Sequence, residues 1–150
     1  EGPGCYCYAN NVLKEALASL AGKYPFVVLD NEAGLENLSR RIVQKVALLV
    51  MVADPSAAGM QTLRRLHGLA LEMGITYDKL AIVVNRLRDN RLPQGLEEIK
   101  QETGAFLALA LPADPELAAL AEEGRRLLDL PADNPVARGV KDLLNQGIGG

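Results

Sequence analysis

Tyr24-Pro25-Phe26-Val27-Val28-Leu29-Asp30-Asn31-Glu32-Ala33-Gly34 is the stretch on which the fold turns. Four apolar residues in succession, 26–29, are too few for a helix and do not alternate with polar ones. They predict a strand buried on both faces of a parallel sheet. The run stops at a carboxylate. In doubly wound folds ligands sit beyond the carboxyl ends of the strands, which puts Asp30 and the small residues up to Gly34 at the chemical edge. An aspartate there suits Mg²⁺ or its water shell, and Gly34 lets the backbone approach a phosphate.

Outward from this stretch the same pattern repeats. Apolar runs at 46–52, 80–86 and 105–110 predict three more buried strands. Between and around them, helices are expected over 8–22, 35–44, from a Ser56 cap to 73, over 92–102, over 115–128 and from Asn134-Pro135 onward. The inward faces are expected to hold Val12, Leu13, Ala16, Leu17 and Leu20 in the first helix, and Val136, Val140, Leu143 and Leu144 in the last. Four parallel strands alternating with helices predict a three-layer α/β sandwich.

Composition narrows the function classes. A chain of 150 residues, 49% hydrophobic and only 4% aromatic, reads as one soluble domain, 1–150, with an aliphatic core. The net charge of −3 gives no general attraction to nucleic acid or anionic lipid, and no apolar run is long enough to span a bilayer. The chain begins at Glu1 without a signal peptide, which reads as a processed or truncated product. Two cysteines do not make a secreted disulfide scaffold, so a reducing cytoplasm is expected.

The cysteines, Cys5 and Cys7, follow the turn-rich lead Glu1-Gly2-Pro3-Gly4. Three readings of the pair stand side by side. Two thiolates from each of two protomers complete a Cys₄ site for Zn²⁺ or Ni²⁺, or hold an iron-sulfur cluster, across a two-fold axis. Alternatively the pair is redox-active, or it is two small hydrophobes in a tight turn. Asn85 ends the third strand on an amide, which carries the donor and acceptor needed to read a purine edge; a plain strand end is the competing reading. Arg86, Arg88 and Arg91 crowd the following loop, over a nucleotide or across an interface. His67, the single histidine, is assigned no role.

Asp30-Asn31-Glu32-Ala33-Gly34 and the residues to Arg41 resemble the second switch of the deviant-Walker ATPases related to MinD and ParA. Gly4-Cys5-Tyr6-Cys7-Tyr8-Ala9-Asn10-Asn11 is similar to the CooC branch of that group, the nickel-insertion accessory ATPases of carbon monoxide dehydrogenase. The likeness runs over nearly the whole chain, with one departure: no Gly-x-x-x-x-Gly-Lys-[Ser/Thr] loop occurs in the 150 residues.

The resemblance implies a P-loop NTPase fold lacking its first strand and helix, with ATP and Mg²⁺ as cofactors. In that scheme Asp30 orders Mg²⁺ or its water and the Gly34 amide senses the γ-phosphate. Asn85 meets adenine, with Arg86 beside it, and the loop containing Pro112 and Asp114 borders the base. Cys5 and Cys7 bridge a metal in a homodimer whose client is carbon monoxide dehydrogenase or a similar nickel enzyme. Without the phosphate loop and its lysine, weak or no ATP hydrolysis is expected of this chain. The family topology sets the missing strand between the ones ending at Asp30 and Asp54, so those two are expected to pair directly or with a second chain. A partitioning or division-site ATPase shares the switch but calls for a basic amphipathic helix, which is not evident; a nucleotide-free metal-binding dimer is the other alternative.

Overall fold

The structure, a computed structural model, describes residues 7–31, 45–89 and 91–149. The chain divides into two compact units, Glu1–Lys45 with Leu69–Thr76, and Val46–Gly68 with Tyr77–Gly150. Its elements in order are α1 (Cys7–Ala21), β1 (Lys45–Ala53), α2 (Ala57–Glu72), β2 (Thr76–Leu87), α3 (Leu96–Thr103), β3 (Leu107–Pro112), α4 (Pro115–Glu122), a 3₁₀ turn (Leu127–Asp129) and α5 (Pro135–Ile148).

The three strands form a parallel sheet in the order β1-β2-β3 with helices on both sides, the α/β architecture expected of a P-loop NTPase-like fold. Each crossover passes through a helix, as parallel neighbours require. Because side chains alternate across a strand, β2 sends Leu80, Ile82 and Val84 to one face and Ala81 and Val83 to the other. On the second face Ala81 and Val83 join Leu111, Val136 and Leu143, with Leu48, Leu107, Leu109 and Leu117 packed against them. Helix α5 therefore lies over that face. Its Gly139 rests on Leu111 and Leu109 of β3, and its Gly147 on Leu48 of β1.

On the first face α2 buries Met60 and Leu63, and α3 buries Leu96, Ile99 and Thr103. Arg64 of α2 reaches across to α3, with Nε donating to Glu102 Oε2 at 2.7 Å and Nη2 lying 3.7 Å from Glu98 Oε2. The Thr103 hydroxyl is satisfied inside its own helix by the Ile99 carbonyl at 2.7 Å, so its burial leaves no orphan donor.

Several expected boundaries move for local reasons. Helix α3 begins at Leu96 rather than near Pro93, because Gly95 sits at φ 85°, a left-handed conformation that no helical residue adopts. Strand β3 starts two residues late because Ala105 still donates to the Lys100 carbonyl and closes α3; Phe106 N–H then bonds Leu80 O at 3.0 Å. The helix expected over 115–128 stops at Glu122, just before a left-handed Gly124, and resumes only as a 3₁₀ turn. Strand β2 extends back to Thr76.

Two corrections go deeper. Residues 26–29 are not a strand: the segment has no regular secondary structure and pairs with no described strand, with Phe26 63% and Val28 87% exposed. A run of this kind is a strand only when neighbours take its amides and carbonyls, and no described strand does. The direct pairing expected between 26–29 and 46–52 is therefore not found among the described residues. Helix α1 forms as expected, yet Val12 and Leu20 of its apolar stripe are exposed, as are Val140 and Leu144 on α5. Periodicity sets which residues share a helix face; burial needs a second surface against that face. The short helix expected over 35–44 lies outside the described residues.

Candidate functional site

The carboxyl ends of the parallel strands in the larger unit carry a row of polar residues, Asp54 after β1, Asn85 within the last turns of β2, and Asp114 after β3. Each is held there by its own backbone setting. Asp54 Oδ1 accepts the Ser56 N–H at 2.8 Å, and Ser56 Oγ accepts the Gly59 N–H at 2.9 Å, which caps α2. The Ser56 hydroxyl, and after it the Ser56 N–H, hold the Asp54 carboxyl below its ordinary value. Gly59 is part of this arrangement: a Cβ there would collide with the Asp54 carbonyl oxygen and stand 2.8 Å from Oδ1.

The ends of β2 and β3 are brought together by pairing. Val84 sits opposite Ala110 and Leu87 opposite Pro112, so Asn85 and Arg86 together face a single residue, Leu111. This two-against-one count is a β-bulge, a feature that re-aims side chains at sheet edges. Beyond it Ala113 N–H bonds Leu87 O at 2.8 Å, which fixes the loop after β3 against the end of β2. Asn85 is half-buried, and its Oδ1 accepts the Arg86 N–H at 2.9 Å. Asp114 Oδ1 accepts the Leu117 N–H at 2.7 Å and caps α4, with Pro115 in the first turn. Four of the residues expected at a nucleotide base, Asn85, Arg86, Pro112 and Asp114, thus converge on one edge. The capping bond leaves Asp114 with only its second oxygen free of this duty.

The remaining expected residues belong to the other unit or lie outside the described residues. Asp30 lies in an exposed segment without regular secondary structure, in the smaller unit. Cys7 is the first residue of α1, whereas Cys5 and Gly34 lie outside the described residues. Among the described residues no group of three or more His, Cys, Asp and Glu side chains is placed to hold a metal ion. His67 Nε2 lies 3.0 Å from the Tyr77 hydroxyl, within hydrogen-bond distance.

Sequence reasoning passed over Asp54 as a member of this edge. The signal was present in Asp54-Pro55-Ser56 followed by Gly59, a carboxylate one residue before a proline and a helix cap with glycine where the backbone closes on it.

Comparison with known proteins adds what geometry alone does not. No protein-family profile matches the chain. An uncharacterised ATP-binding protein of Methanocaldococcus jannaschii is 36% identical over 99% of the chain and 58% of its own length. The carbon monoxide dehydrogenase accessory protein CooC of Rhodospirillum rubrum is 28% identical over 99% of the chain and 56% of its own length. The chain is thus similar to a protein described as ATP-binding and to the accessory protein CooC. The septum site-determining protein MinD of Thermotoga maritima stands further off, 20% identical over 76% of the chain. The chain spans little more than half the length of the first two of these relatives. Among the described residues no helix is long and apolar enough to cross a membrane.

Proposed function

We propose that this chain carries the base-binding side of a MinD/ParA-like ATP site, at the carboxyl edge of β2 and β3. The observation that carries the reading is the convergence of Asn85 and Arg86 with Pro112 and Asp114 across one bulged strand pair. An amide at the mouth of an apolar sheet suits a purine, and the loop after β3 supplies backbone beside it. ATP is the nucleotide because the chain's relatives are ATP-binding proteins. In this reading Mg²⁺ joins Asp30, and the Gly34 amide senses the γ-phosphate. The 150 residues hold no glycine-rich loop ending in lysine, so the chain binds nucleotide without turning it over. Titration calorimetry with ATP tests this. The expected result is binding that Asn85→Ala weakens about tenfold, with no phosphate release; equal binding by wild type and Asn85→Ala rejects the site.

The finer reading is a metal-centre maturation factor of the CooC kind, in which nucleotide state sets dimer geometry and Cys5 with Cys7 from two chains hold Zn²⁺ or Ni²⁺ for a nickel enzyme. It is favoured over a division-site ATPase by the likeness to the accessory protein over 99% of the chain, against 76% for MinD. Metal analysis with size-exclusion chromatography is the test. A dimer with about one metal per two chains, dissolved by chelator, supports it; a metal-free monomer removes it.

A further inference from the structure

We draw no further inference here: the strongest candidate, the apolar surface patch of Val50 and Val52 on the later half of β1, lies open, and nothing in the structure shows what covers it.

Discussion

The two faces of the β1-β2-β3 sheet are built from the same kind of residue and end in different states. Toward α2 and α3, Leu63, Ile82, Val84 and Ile99 are fully buried. Toward α5, Leu48 and Leu109 are only partly covered, and Val50 and Val52, on the same side of β1 as Leu48, are exposed. Helix α5 crosses from β3 at Gly139 to the start of β1 at Gly147, and leaves the later half of β1 bare. Val140 and Leu144, exposed on α5, follow one another at helical spacing. An apolar strand is an invitation to cover it; which face is covered depends on how many helices the chain brings to each side.

That contrast has measurable consequences. Leu63→Ala, on the closed face, should cost about 3 kcal/mol in urea unfolding, while Val52→Ala should stay within about 0.5 kcal/mol. Similar losses at the two positions would mean that the faces are equally buried in solution. Two helical glycines sharpen the point on a smaller scale. Gly59→Ala must push a methyl into the Asp54 backbone and should cost about 2 kcal/mol. In Gly147→Ala the methyl meets the Leu48 side chain, which can turn aside on the looser face, so the gain in helix propensity leaves the change near zero, within about 0.5 kcal/mol.

The smallest effect is electrostatic and belongs to the closed face. The Arg64 hydrogen bond holds the Glu102 carboxyl below its ordinary value. With a folded value under the unfolded one, this pair stabilises the fold above the unfolded value and the benefit disappears as pH falls through the folded value. Unfolding midpoints followed down the acid limb should therefore drop less steeply in Glu102→Gln than in wild type. Both carboxylate and guanidinium face solvent, so the difference should shrink with added salt.

Much of this was legible from the residues alone. Continuous apolar runs marked β1 and the later part of β2, and Ser56 and Asn134-Pro135 announced their helices because a cap acts within three residues of chain. What failed depended on distant partners. Residues 26–29 have strand composition, yet composition supplies no neighbouring strand. Val140 and Leu144 have core periodicity, yet both are exposed. At the candidate site Asn85 was visible as the polar end of an apolar run, but the bulge beside it was not. Arginine does not advertise a left-handed backbone, and a two-against-one register arises only when β3 is laid alongside β2.

Asn134, buried and accepting the N–H groups of both Val136 and Ala137, pins the first turn of α5, and Gly147 rests on Leu48 at the other end of the same helix. The helix is anchored at both tips and spans the sheet like a crossbar. A purification tag or fluorescent fusion joined directly after Ile148 would pull on the Leu48 end, so a probe for this protein belongs behind a long flexible spacer.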